Sequence, residues 1–327
     1  MRSLTRALPA VLVTALLAAG CSTASSGSHA TSKPASTPAA TVAAPIATAD
    51  PTLATGDYVA LGDSYTAAPK ISSLVGTPGG CGRSSDSYPL LVAQRLGLAA
   101  SRVNDVSCDG ATIGDLTGSQ VTSGGTNPAQ LDALSSATTL VTLGIGGNDV
   151  HWTAVLAECV KLDLVTVLTG NSSPQDSARC EQHYTASGAN QVQQYIQAAA
   201  GPLATALAEI KQRAPNAHVY VIGYPDLMPA SGNSACAHTF AITPADMTFL
   251  NTAEQQLNAL LHQQATAAGA TYVDTYTPSL GHSACASTPE RWVEPWVPTS
   301  PADPLHPDAT GERGMANAVI SALAAAG

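Results

Sequence analysis

Apolar residues in this chain gather into five short runs separated by longer, more polar stretches. Tyr58-Val59-Ala60-Leu61 is the first, residues 103–108 the second, and Leu140-Val141-Thr142-Leu143-Gly144-Ile145 the third. Residues 218–223 and 270–274 follow. The runs are close to continuously apolar and do not alternate, which predicts strands buried on both faces, as in a parallel sheet. Between the third and fourth runs, Val192, Ile196, Ala199, Leu203, Leu207 and Ile210 recur by threes and fours and predict a helix facing that sheet. Pro202 lies inside it and is expected to kink or split it, because proline lacks the N–H of the helical ladder and its ring crowds the preceding turn. A second helix is predicted over 244–268, carrying Leu250, Leu257, Leu260, Leu261 and Ala265, with Gly269 as its stop. A third, over 311–325, presents Met315, Val319, Ile320 and Leu323. Strands alternating with helices at this spacing predict a single doubly wound, three-layer α/β/α domain with a mostly parallel central sheet and long loops. There is no internal repeat.

The N-terminus reads differently. Arg2 and Arg6 precede an apolar run over 10–19, too short for a bilayer-spanning helix but of the length of an export signal. It ends in Leu17-Ala18-Ala19-Gly20-Cys21, which resembles a bacterial lipobox, with Ala18 where leucine is usual. On that reading Cys21 carries acyl chains that hold the protein at a membrane; the other reading is an ordinary secretory signal with a chance cysteine. Residues 22–55 are rich in Ala, Ser, Thr and Pro and too poor in large apolar side chains to offset the entropy of ordering. The expected division is therefore a signal peptide over 1–20, a lipidated cysteine and tether over 21–55, and a folded domain over 56–327. The protein is expected to be exported, anchored on the outer side of the cell membrane or, without lipidation, secreted.

Charge and cysteine usage narrow the possibilities further. The chain has 13 Lys and Arg against 23 Asp and Glu, a formal charge of -10, and so lacks the basic stripe a nucleic-acid partner requires. Setting Cys21 aside leaves Cys81, Cys108, Cys159, Cys180, Cys236 and Cys285, an even set in an exported chain, which predicts disulfides with 15 formal connectivities. No C-x-x-C spacing or neighbouring histidine suggests a metal site.

Polar residues that could do chemistry collect at the ends of the predicted strands, where doubly wound sheets bind their ligands. Gly62-Asp63-Ser64-Tyr65 follows the first strand, Ser107-Cys108-Asp109-Gly110 the second and Gly146-Gly147-Asn148-Asp149 the third. Asp303-Pro304-Leu305-His306-Pro307 lies near the C-terminus. Gly144-Ile145-Gly146 opens like a dinucleotide-binding fingerprint, but its third glycine would fall at Asp149, whose charge would repel a pyrophosphate.

In order and spacing these four blocks resemble the SGNH or GDSL hydrolases, esterases and lipases with a Ser, Gly, Asn and His in four separate blocks. The resemblance runs from about Asp57 to about Ala322. It implies a flavodoxin-like sheet, no cofactor or metal, and hydrolysis of carboxylic esters through a Ser64 acyl-enzyme with His306 as general base. By the same resemblance the backbone N–H groups of Ser64 and Gly110 and the side-chain amide of Asn148 form an oxyanion hole. Asp303, three residues before His306, is expected to orient the imidazole, a main-chain carbonyl from 292–301 being the alternative. Asp63 and Asp149 are expected to support turns. The six domain cysteines resemble those of a secreted actinobacterial branch, which implies the pairs Cys81–Cys108, Cys159–Cys180 and Cys236–Cys285. Family members act on acylglycerols, phospholipids, acetylated sugars and simple acyl esters, so a small acyl ester or lipid is the expected partner, with no protein partner evident. An open crevice without an apolar lid segment favours short or medium acyl chains. Two other readings are a non-catalytic solute-binding lipoprotein and a deacetylase of cell-envelope polysaccharide.

Overall fold

A computed structural model of the protein describes residues 55–170 and 177–325. The expected signal peptide, Cys21 and nearly all of the tether lie outside the described residues.

The chain begins with β1 (Asp57–Gly62), which leads into the single turn of helix α1 (Ser64–Ala67). Helix α2 (Tyr88–Arg95) and β2 (Val103–Asp105) follow, then a hairpin of β3 (Gln120–Thr122) and β4 (Gly125–Asn127). Next come β5 (Thr138–Gly144), α3 (Trp152–Thr169), α4 (Arg179–Thr185) and α5 (Gln191–Arg213). The last part comprises β6 (His218–Ile222), α6 (Ser234–Phe240), α7 (Pro244–Ala267), β7 (Thr271–Val273), α8 (Tyr276–Ser279) and α9 (Ala309–Ala325).

Five strands form one sheet in the order β2-β1-β5-β6-β7, all parallel. Its two faces are both buried, which is why the strands lack polar alternation. Val59, Leu61, Val141 and Leu143 point to the side covered by Leu203 and Leu207 of α5 and Leu257 and Leu261 of α7. Tyr58, Ala60, Leu140 and Tyr220 point to the side covered by Val92 of α2 and Met315 and Val319 of α9. The chain is thus a doubly wound α/β/α domain, and the strand order reverses between β1 and β5, where such sheets open a crevice at their carboxyl ends.

All five expected strands are present, and the second ends earlier than expected, at Asp105. The helix carrying Pro202 is not split: α5 runs unbroken over 23 residues. Pro202 and Ala198, the residue whose carbonyl loses its partner, both lie on the exposed face, so water can satisfy that oxygen. Helix α7 ends as expected, with Gly269 in the left-handed region at φ 68°. The six domain cysteines are joined as Cys81–Cys108, Cys159–Cys180 and Cys236–Cys285, so the first disulfide ties the loop before α2 to the loop after β2.

Candidate active site

The serine of the first block sits where β1 turns into α1. A Cβ at position 62 would meet Thr66 Oγ1 at 2.3 Å and the Gly144 carbonyl oxygen at 2.4 Å, so only glycine allows this turn to close against β5. Partner β2 pairs β1 only as far as Ala60. Buried Gln130 takes over at the next open position, its Oε1 accepting from Gly62 N–H at 2.7 Å and its Nε2 donating to the Gly62 carbonyl at 2.9 Å. Asp63 then caps α1, accepting from Tyr65 N–H at 3.0 Å, and Ser64 is left at the helix start, 6% exposed.

His306 reaches that serine across 242 positions of sequence, its Nε2 lying 2.7 Å from Ser64 Oγ. Its loop is held by an exchange with Glu294, Leu305 N–H donating to the Glu294 carbonyl at 3.0 Å and Glu294 N–H to the His306 carbonyl at 2.9 Å. Leu305 takes a left-handed conformation, φ 64°, and its carbonyl accepts from the Tyr65 hydroxyl at 2.6 Å. The Tyr65 ring lies against the imidazole, centroids 5.1 Å apart. Tyr65 thereby ties the serine turn to the histidine loop.

Imidazole Nδ1 lies 2.7 Å from the Pro304 carbonyl oxygen. A carbonyl only accepts, so Nδ1 carries the proton and Nε2 is free to accept from the serine hydroxyl. This corrects the expectation for Asp303, whose carboxylate turns away and pairs with Lys70. The reason is local geometry. His306 N–H donates to the Asp303 carbonyl at 3.2 Å, and this turn brings the Pro304 carbonyl alongside the ring. The carbonyl also comes from within the histidine block and not from 292–301.

The second and third blocks converge on the same place. Cys108 N–H donates to the Gly62 carbonyl at 3.0 Å and Asp109 N–H to the Cys81 carbonyl at 3.0 Å, which seats the following Gly110, φ 74°, beside the serine turn. Asn148 Nδ2 donates to the Ala111 carbonyl at 2.9 Å, while the Asp149 carboxylate accepts from Ile113 N–H at 3.1 Å. Asp149 is thus a turn support, as is Asp63. Ser64, Asp109, Asn148, Trp152, Leu257 and His306 line one cavity at the carboxyl edge of the sheet. Gly110 lies next to that lining and is exposed.

Burial dominates the electrostatics here. It pushes the Asp63 carboxyl up to about 7 against the opposing hydrogen bonds from Tyr224 and Tyr65. Asp109, an exposed residue at the cavity, is raised by partial loss of hydration there, with attraction to His306 in the opposite sense. Glu254, which also lines the cavity, is raised well above the carboxylate range by burial and by neighbouring Asp226.

Sequence reasoning missed Tyr65, Gln130 and Tyr224. Tyr224 lies two residues past the end of β6, so its place at the carboxyl end of a strand is the signal that could have flagged it.

Residues 60–313 match the GDSL-like lipase/acylhydrolase family. Lipase 2 of Streptomyces coelicolor is 36% identical over 277 residues, 85% of this chain and 88% of that protein. Lipase 1 of the same organism is 33% identical over 266 residues, 81% of this chain and 85% of that one. Among solved structures, phospholipase A1 from Streptomyces albidoflavus NA297 superposes with a TM-score of 0.65 at 28% identity, covering 82% of this chain and 99% of that one. With four blocks meeting at one cavity and relatives matched over most of their length, this chain belongs to the GDSL-like lipase/acylhydrolase family, whose members here are lipases and esterases.

Proposed function

We propose that the protein hydrolyses carboxylic esters through a covalent intermediate on Ser64, with His306 as general base and acid and the Pro304 carbonyl as the group that orients His306. The observation that carries this is the 2.7 Å contact between His306 Nε2 and Ser64 Oγ, with Nδ1 engaged by a carbonyl at 2.7 Å.

A serine hydroxyl is a poor nucleophile at neutral pH. As Ser64 Oγ bonds to the ester carbonyl carbon, Nε2 takes its proton and the carbonyl oxygen becomes anionic. That oxygen is received by the N–H groups of Ser64 and Gly110 and the Asn148 amide, donors fixed before the charge forms. The bond to the alcohol oxygen breaks, His306 returns the proton to it, and Ser64 is left acylated. Water then attacks the acyl carbon as His306 accepts its proton, and the acid leaves as Ser64 is reprotonated. The Pro304 carbonyl keeps the ring in the required tautomer throughout and faces the N–H of the imidazolium with its negative end.

Substrates are small acyl esters or lipids, a reading supported by relatives named lipase and esterase. A lipid anchor on Cys21, supported by the Leu17-Ala18-Ala19-Gly20-Cys21 pattern, places the domain on the outer face of a membrane within reach of such esters. The test is a fluorophosphonate probe on the purified protein, with mapping of the labelled peptide and a chain-length series of p-nitrophenyl esters. Labelling at Ser64 with ester turnover is expected. An unlabelled, inactive protein would return the reading to a solute-binding lipoprotein. For the anchor, Cys21→Ser is expected to leave the membrane fraction, and equal partitioning of wild type and variant refutes it.

A further inference from the structure

One side chain outside the four blocks touches two of them. Tyr224 is 7% exposed, and its hydroxyl lies 2.5 Å from Asp63 Oδ2 while accepting from Gly147 N–H at 2.8 Å. The hydroxyl has a single proton. Gly147 N–H can only donate, so that proton goes to Asp63, and the bridge has one direction. On one side stands the residue before Ser64, and on the other the residue before Asn148. The Tyr224 backbone is clamped in turn, its N–H donating to Asn258 Oδ1 at 2.8 Å and its carbonyl accepting from Asn258 Nδ2 at 2.9 Å. The ring stands edge-on to Tyr65, centroids 5.1 Å apart, and a Cβ at position 147 would lie 3.2 Å from the hydroxyl oxygen. Among the described residues, nothing else bonds Gly147 N–H to the serine turn.

We propose that Tyr224 is a positioning residue, whose hydroxyl bridge from Asp63 to Gly147 N–H holds the Asn148 amide and the Ser64 turn in the register in which both face one substrate oxygen. The inference rests on the reading of Ser64 and Asn148 given above. Its physical basis is that oxyanion donors act through preorganisation: a donor displaced by a fraction of an ångström binds substrate nearly as well but stabilises the transition state less. Removing the hydroxyl also leaves the buried Asp63 Oδ2 and the half-buried Gly147 N–H without this partner.

The bridge carries a signature that simple packing lacks. Asp63 is faced by the neutral Tyr65 and Tyr224 and by two further carboxylates, Asp109 and Asp149, which add repulsion to the burial that raises it. The Tyr224 hydroxyl opposes that rise. Its loss moves the Asp63 titration to higher pH, and a protonated Asp63 is a weaker acceptor for Tyr65 N–H at the serine turn.

The experiment is Tyr224→Phe, assayed with a p-nitrophenyl ester across pH 5–9 alongside thermal melting and fluorophosphonate labelling. Expected are a kcat lowered about tenfold to a hundredfold, a KM within about twofold of wild type, and an acid limb of kcat moved to higher pH. A folded variant with wild-type kcat and an unmoved limb overturns the proposal, as does a loss confined to KM. Should Tyr224→Phe fail to fold, Asp63→Asn carries the test. It keeps an oxygen for Tyr65 N–H but removes the charged acceptor of the Tyr224 proton, and wild-type kcat in that variant overturns the proposal. Labelling of wild type separates the two layers: no label at Ser64 refutes the reading of the site, whereas a labelled wild type with an unimpaired Tyr224→Phe refutes only the bridge.

Discussion

Asp303→Asn distinguishes a backbone-oriented histidine from a carboxylate triad. Were Asp303 the partner of His306, the amide would favour the wrong tautomer and lower kcat by up to about 10⁴-fold, equivalent to roughly 5 kcal/mol of transition-state stabilisation. In the structure the Pro304 carbonyl fills that position at 2.7 Å and the carboxylate pairs with Lys70. The two side chains of that pair are 69% and 17% exposed, a setting in which ion pairs contribute about 0.2 to 1 kcal/mol. Even if the whole contribution reached the transition state through the loop, kcat would fall by no more than about fivefold. The assay is steady-state hydrolysis of a p-nitrophenyl ester by wild type and variant, at low salt and again at about 0.5 M salt, where a residual charge effect shrinks by screening. A folded variant with kcat down more than about a hundredfold at unchanged KM would refute the argument and restore a carboxylate to the catalytic set.

Ser64→Ala is expected to abolish turnover and fluorophosphonate labelling while leaving the melting temperature near wild type; label at another serine would refute the nucleophile assignment. Asn148→Ala should lower kcat by about a hundredfold to a thousandfold with a smaller change in KM, since the amide acts on charge that forms only in the transition state, and a change in KM alone would make it a binding residue. A third test concerns pH and stability at buried Asp163, whose carboxyl is pushed up to about 7 by burial and by Asp246, against a hydrogen bond from Thr243. Its folded value lies above the unfolded one of about 3.9, so stability from this group is full below about 4 and is lost as pH rises through about 7. Asp163→Asn should therefore gain in melting temperature relative to wild type between pH 5 and 8, and parallel curves would refute the assignment.

Most of the fold was legible because the signals that define it are collective. Strands such as Tyr58 to Leu61 are apolar at every position only when both faces are covered, and a stripe such as Val192, Ile196 and Ala199 repeats too regularly to be a loop. What failed were local signals that depend on exposure. Pro202 reads the same in sequence on a buried or a solvated face, and only the solvated one tolerates the lost bond. Helix α3 has no single stripe to set its bounds because its residues are apolar nearly all round: Val155, Leu156 and Cys159 are buried, yet Leu164, Val165 and Leu168 are exposed.

The site was legible to a different depth, set by which groups must be side chains. Making and breaking the ester bond needs a hydroxyl nucleophile and a base that titrates near neutrality, and no backbone group can substitute, so Ser64 and His306 leave a mark in the sequence. Orienting the base needs only an acceptor. Every residue has a carbonyl, so the one that does the work at Pro304 leaves no mark, while a nearby carboxylate such as Asp303 invites over-assignment. The same asymmetry hides Tyr224, whose partners are the Asp63 carboxylate and a backbone N–H 77 positions away. A sequence reading of such a centre therefore names the groups that react more securely than the groups that hold them. Its weakest assignments are the carboxylates placed by spacing alone, because a turn of a few residues, like that from Asp303 to His306, can point a side chain and a carbonyl in opposite directions.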